Sequence, residues 1–75
     1  MPIGFIFLTI NEESKRTIYQ QVTKVPNVAE IHDLFGEYDM VVKINAETTE
    51  KLGHIIHESI QPLQGITQVK TIIGC

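Results

Sequence analysis

The stretch Ile3-Gly4-Phe5-Ile6-Phe7-Leu8-Thr9-Ile10 constrains this chain more than any other. Its β-branched and aromatic residues favour an extended strand, and Pro2 and Asn11 bound it. Successive side chains of a strand point to opposite faces. Ile3, Phe5 and Phe7 therefore share one face, while Ile6, Leu8 and Ile10 share the other. A strand apolar on both faces needs cover on both, which places it inside a sheet rather than at an edge. The chain has 75 residues. That length predicts a single domain over residues 1–75 with modest burial. Domains this small are commonly reinforced by disulfides, a metal or a partner subunit. The single cysteine, Cys75, permits no internal disulfide, and no Cys/His metal spacing is present. Self-association is the remaining source of reinforcement.

The rest of the chain supplies one face of that cover. Asn11, Glu12 and Glu13 read as a helix start, with Asn11 as cap and the two acids at the positive end of the helix dipole. Ile18, Val22 and Val25 then repeat at helical spacing, and Pro26 closes the segment. Residues 28–35 (VAEIHDLF) read as a second strand, interrupted by Glu30, His32 and Asp33 and suited to an edge. A four-residue break, Gly36 to Asp39, separates it from a third strand at 40–46 (MVVKINA). Thr48 and Glu50 open a second helix whose apolar stripe is Leu52, Ile55, Ile56, Ser59, Ile60 and Leu63. Pro62 and Gly65 stop it, and residues 66–73 (ITQVKTII) form the last strand.

The order β-α-β-β-α-β predicts an α+β, ferredoxin-like fold: a four-stranded antiparallel sheet with two helices on one face. Right-handed crossovers put the first and third strands at the centre. The helices cover one face only. The other keeps either Phe5 and Phe7 or Ile6, Leu8 and Ile10, a patch too apolar for a monomer. Packing of sheet on sheet in a two-fold dimer is the simplest expectation.

The charge balance is −3, and the basic residues Lys15, Arg16, Lys24, Lys43, Lys51 and Lys70 are scattered. Nucleic-acid binding needs clustered Lys and Arg, so none is expected. No segment reads as a signal peptide or a bilayer span, so a cytoplasmic protein is expected. His54 and His57 share the polar face of the second helix with Glu50 and Glu58. They suit a metal or, more simply, a solvated face with a Glu50–His54 pair. His32 stands alone, Cys75 ends the chain, and no cofactor loop is present. The Gly36–Asp39 turn has two readings. In one, Gly36 permits a hairpin and Asp39 bonds its backbone. In the other, backbone N–H groups near Gly36 receive a carboxylate, Asp39 meets an ammonium and Tyr38 closes over the side chain.

The whole chain resembles the ligand-sensing (RAM) domain of the Lrp/AsnC transcriptional regulators. The resemblance rests on Gly36-Glu37-Tyr38-Asp39 followed by Met40-Val41-Val42-Lys43-Ile44, on Val25-Pro26-Asn27-Val28, and on Gly65-Ile66 followed by Thr71. It implies homodimers that pack through their sheets and assemble further, with an amino-acid effector bound near the turn. By position it implies a site made of Gly36, Glu37, Tyr38 and Asp39, with Thr71 contributed by the last strand. Such regulators carry a helix-turn-helix domain ahead of this module. Here the first strand begins at Ile3, so a stand-alone form without that domain is expected, one that senses a small molecule or co-assembles with full-length Lrp/AsnC regulators. The alternatives are a pure assembly partner without ligand and an ACT-like amino-acid-binding domain. A third is a small dimeric enzyme of monooxygenase or isomerase type, which would need a deep pocket around His32.

Overall fold

The computed structural model describes residues 1–74. Its strands are β1 (Ile3–Ile10), β2 (Val28–Asp33), β3 (Met40–Asn45) and β4 (Ile66–Gly74). Helix α1 (Lys15–Thr23) leads from β1 to β2, and α2 (Thr49–Ile55) leads from β3 towards β4. The strands are antiparallel in the order β2-β3-β1-β4, so β1 and β3 are central, as their apolar content predicts. This is the ferredoxin-like arrangement.

The pleat of β1 sorts its side chains as the alternation requires. Ile6 and Leu8 are fully buried and Ile10 nearly so. They pack with Met40, Val42 and Ile44 of β3, Ile18 and Val22 of α1, and Leu52 of α2. Burial of each such side chain stabilises the fold by about 1.5–3 kcal/mol before the entropy of ordering is counted. The helical stripe continues through a π turn at Ile56–Ile60, where the Gln61 N–H donates to the Ile56 carbonyl at 2.9 Å. Ile56 and Ile60 still reach the core.

The second face of the sheet has no cover among the described residues. Phe5 lies between Lys43 of β3 and Ile72 of β4 in the strand register. Both Phe5 and Ile72 are exposed, Ile72 by 48 %. Phe7 and Val41 sit half-buried beside them.

Several boundaries differ from the sequence expectation. Strand β2 stops at Asp33, two residues before Phe35, because Asp33 opposite Met40 is the last strand pair. The Leu34 N–H then donates to the Asp39 carbonyl at 2.9 Å, so the connection runs over residues 34–39 and Phe35 stands fully in solvent. Asn11 does not cap with its side chain. A 3-10 turn, Glu12–Ser14, intervenes before α1, and backbone bonds hold Asn11 instead. Its N–H donates to the Gly65 carbonyl at 2.8 Å, and its carbonyl accepts from the Ser14 N–H at 2.9 Å. Thr48 does cap α2, its hydroxyl oxygen accepting from the Lys51 N–H at 3.1 Å. Gly65 has φ +104, and a Cβ there would collide with the Ser14 side chain. The absence of a Cβ at Gly65 is what lets the start of β4 approach Ser14 so closely at the start of α1. Cys75 lies outside the described residues.

Candidate functional site

The Gly36–Asp39 segment curls over the end of β1, and Asp39 fixes it there. Strand β3 begins only at Met40, so the Ile10 N–H has no backbone acceptor from the neighbouring strand. The Asp39 carboxylate takes that place, with Oδ2 accepting from the Ile10 N–H at 2.8 Å. The Asp39 N–H donates to the Leu8 carbonyl at 2.8 Å. One residue thus grips β1 at two points. A hydrogen bond to a charged acceptor is among the stronger ones in a protein. Gly36, at φ +120, gives the chain the bend that leads into this grip.

The other oxygen of Asp39 faces α1. Lys15 Nζ lies 3.6 Å from Asp39 Oδ1 and 3.1 Å from Glu12 Oε2. The Glu12 hydrogen bond first, then the Asp39 carboxylate, hold the Lys15 ammonium above its ordinary pKa. An ammonium already occupies the position opposite Asp39 that the turn's functional reading reserves for a ligand.

Between the hairpin and α1 lies a cavity of about 520 Å³. Small-molecule sites commonly measure roughly 300–1,000 Å³. The cavity's apolar wall is Ile10, Leu34, Phe35 and Met40. Its polar lining comes from Lys15, Arg16 and Tyr19 on α1 and from Asp33 and Asp39 at the hairpin, with Gly36 at the rim.

The structure therefore brings Gly36 and Asp39 to one cavity and leaves the other candidates outside it. Glu37 is exposed, and its carbonyl accepts from the Thr9 hydroxyl at 3.2 Å. Tyr38 turns the other way and rests on Phe7, with ring centroids 5.7 Å apart and planes tilted by 56°. It belongs to the uncovered sheet face. Thr71 sits opposite Ile6 in the middle of β1, whereas the hairpin meets β1 at Leu8 and Ile10. Lys15, Arg16 and Tyr19 line the cavity although the sequence reading places none of them there, and Asp33 joins them from the end of β2. The available signal was the chain's only adjacent basic pair, Lys15-Arg16, with Tyr19 one helical turn on.

The histidines are surface groups. His54 pairs with Glu58 at 2.8 Å, not with Glu50, and His57 bonds Gln61 at 3.2 Å. His32 Nε2 meets Glu30 at 2.8 Å, and Lys43 meets the same carboxylate at 3.3 Å. These contacts, His32 first, hold Glu30 below the usual carboxylate pKa. Through its partners in the register, His32 opposite Val41 and Glu30 opposite Lys43, this trio belongs to the uncovered face. Among the described residues no group of three or more His, Cys, Asp and Glu is placed to hold a metal. No described helix is long and apolar enough to cross a membrane.

Comparison with known proteins bears on the same region. The family model for the Lrp/AsnC ligand binding domain matches residues 4–74. An uncharacterised HTH-type transcriptional regulator of Pyrococcus abyssi is 29% identical over 74 residues, covering 95% of this chain and 49% of the relative. The chain thus spans about half the length of the curated relatives it matches first. Among solved structures, FFRP-DM1 superposes with a TM-score of 0.93 at 28% identity, each chain covered in full. The transcriptional regulator NMB0573 of Neisseria meningitidis, solved as a complex with L-Met, superposes with a TM-score of 0.87 at 17% identity. That match covers 99% of this chain and 49% of the regulator.

Proposed function

The chain belongs to the Lrp/AsnC ligand-binding domain family, and from that premise we propose that it is a non-enzymatic module of transcription regulation that binds an amino acid and self-associates. The observation that carries the reading is the cavity of about 520 Å³ between the Gly36–Asp39 hairpin and α1. It holds charges of both signs over an apolar wall, which suits a small zwitterion. The structure of NMB0573 with L-Met is a regulator of the same fold named with an amino acid, and it supports that ligand class. In this proposal Gly36 and Asp39 frame the site within one chain, while Glu37, Tyr38 and Thr71, which lie outside that cavity, contribute only across the contact between assembled subunits.

The partner is first a second copy of the chain, meeting it through Phe5, Phe7, Val41 and Ile72. Dimers then assemble further or join full-length regulators of the family. An effector that binds only the assembled form shifts the equilibrium towards it by its own binding free energy. The enzyme alternative required a pocket around His32, and His32 is exposed on the uncovered sheet face. A second reading has its own support. Asp39 is fully engaged by Ile10 and Lys15, so the turn is also explained as pure architecture in an assembly partner without ligand.

A thermal-shift screen with the twenty amino acids, run beside light-scattering mass, decides between the two. Under the proposal at least one amino acid raises the melting temperature and changes the mass; a ligand at 100 times its Kd adds about 2.7 kcal/mol. A flat screen on a multimeric protein would leave only the assembly role.

A further inference from the structure

We infer that the bare sheet face carries a pH switch on self-association: two copies of the chain pack through it while His32 is neutral and separate when His32 takes up a proton. The inference rests on the reading of this face as the contact between copies and adds the group that regulates it.

His32 stands in one row of the sheet with Val41 and Phe7, because Val41 pairs with His32 on one side and with Phe7 on the other. Adjacent strands lie about 4.8 Å apart, so a second sheet that covers Val41 and Phe7 reaches the imidazole. In the single chain that side chain is 61 % exposed. The next row holds Glu30, Lys43 and Phe5. Glu30 serves two partners, one with each carboxylate oxygen: His32 Nε2 at 2.8 Å and Lys43 Nζ at 3.3 Å. Lys70, opposite Phe7 on β4, is the remaining charged residue of this face on the described strands. From the hairpin loop, Tyr38 rests on Phe7, and Glu37 lies by Thr9 through its carbonyl. A phenol and a carboxylate ordinarily keep their charge state between about pH 5.5 and 7.5.

With His32 neutral, the trio is one carboxylate against one ammonium, and the ring is an uncharged donor to that carboxylate. Such a set is buried with its charges balanced. With His32 protonated, two cations share one carboxylate whose oxygens are both in use. Water solvates the excess charge on a single chain. A second sheet does not, and it brings the same trio and its own Lys70, so like charge meets like across the contact. Protonation therefore costs less in the separated chain. Linkage fixes the sign: association releases protons, and it weakens as the pH falls through the range in which an imidazole ordinarily titrates, around 6.5. The whole-molecule charge predicts the opposite. The chain carries −3 with its three histidines neutral, so acidification brings the net charge towards zero and removes general repulsion between copies. A contact that loosens on acidification thus identifies a local group, and His54 and His57 lie in the helical layer on the other side of the sheet.

The test is fluorescence-detected sedimentation of the full chain from nanomolar to micromolar concentration, at fixed ionic strength and at about pH 7.5, 6.5 and 5.5. Release of two protons per dimer permits up to about a hundredfold change in Kd per pH unit. The wild-type dimer is expected to weaken at least about tenfold between about pH 7.5 and 5.5. His32→Gln, neutral throughout, should change by less than about threefold over that range. His32→Lys, charged throughout, should already show the weakened association at the highest pH. His54→Gln and His57→Gln should keep the wild-type response. His32 is exposed on an edge strand, so its replacement does not threaten folding, and circular dichroism at each pH verifies that. Three results overturn the inference: affinity unchanged or raised by acid, a dimer still intact at nanomolar concentration at the lowest pH, or a wild-type response in His32→Gln. The contact face itself stands in those cases if Phe5→Glu separates the copies. Phe5→Glu without effect, or a single-chain mass at every concentration and pH, overturns both.

Discussion

Replacing Asp39 separates the two jobs this residue holds at the hairpin. In the folded chain its Oδ2 accepts the Ile10 N–H at 2.8 Å, and its Oδ1 lies 3.6 Å from Lys15 Nζ. The carboxylate is 25 % exposed, while the Lys15 side chain is 41 % exposed. A hydrogen bond to a charged group contributes about 1.5–3 kcal/mol, and the partial exposure of this one places it near 2 kcal/mol. The ion pair, long and wet, contributes much less than the hydrogen bond. Asp39→Ala leaves the Ile10 N–H without an acceptor and should cost about 2–2.5 kcal/mol. Asp39→Asn keeps a neutral acceptor and should cost about 1 kcal/mol. Lys15→Met should cost less than either Asp39 change. In a domain of this size 1 kcal/mol shifts the melting temperature by roughly 4–8 °C, so Asp39→Ala should melt about 8–20 °C lower. Urea titration with far-UV circular dichroism measures the three values, at one protein concentration because self-association adds stability by mass action. The expected order is Ala, then Asn, then the Lys15 variant. If Lys15→Met matched Asp39→Ala, the ion pair and not the strand anchor would be the source. If Asp39→Ala stayed within about 0.5 kcal/mol of wild type, the anchor would be unimportant.

Three further outcomes follow from the same structure. Phe5→Glu puts a charge at the centre of the uncovered face and should weaken self-association by about 30-fold or more, as loss of an interface anchor of at least about 2 kcal/mol implies; sedimentation showing unchanged mass at low micromolar concentration would exclude that face as the contact. Gly65→Ala forces a Cβ into the Ser14 side chain at a φ of +104 and should destabilise by about 2–4 kcal/mol from overpacking and backbone strain together; Ser14→Gly in the same chain should restore part of it. Glu30 is held below its ordinary pKa of 4.5 by His32 and then Lys43, so it contributes stability present above pH 4.5 and lost as the pH falls below that through its folded value. Glu30→Gln should therefore show a shallower loss of stability between pH 5 and pH 3 than wild type, and parallel urea midpoints over that range would refute the assignment.

The uncovered face also connects the proposed assembly surface to the proposed site. Phe7 carries Tyr38 on that face, and Tyr38 is next to Asp39 at the cavity. A subunit that packs on Phe7 therefore touches the same short loop whose other side lines the cavity. The loop links the two surfaces through adjacent residues, a physical route by which ligand and assembly can influence each other.

The sequence by itself determined the architecture. The two apolar faces of residues 3–10, the 3.6-residue spacing of Ile18 and Val22, and the Leu52 to Ile60 stripe each have one compatible burial pattern, and together they admit one sheet with two helices and a bare face. Periodicity is a local property and survives in a one-dimensional reading. The hairpin was legible as a turn, and Asp39 as a residue that bonds backbone, but its partner was not. Ile10 is 29 positions away, and it needs a side-chain acceptor only because β3 starts one residue too late to supply a backbone one. The same holds for the cavity. Lys15, Arg16 and Tyr19 lie off the apolar stripe of α1, and only the packing of α1 beside the hairpin turns that face into a wall. Tyr38 read as a lid and became part of the sheet face, since the curl of residues 34–39 sets which way each loop side chain points. Local spacing decided what is buried. Long-range packing decided which exposed groups stand together, and the candidate site is made of those.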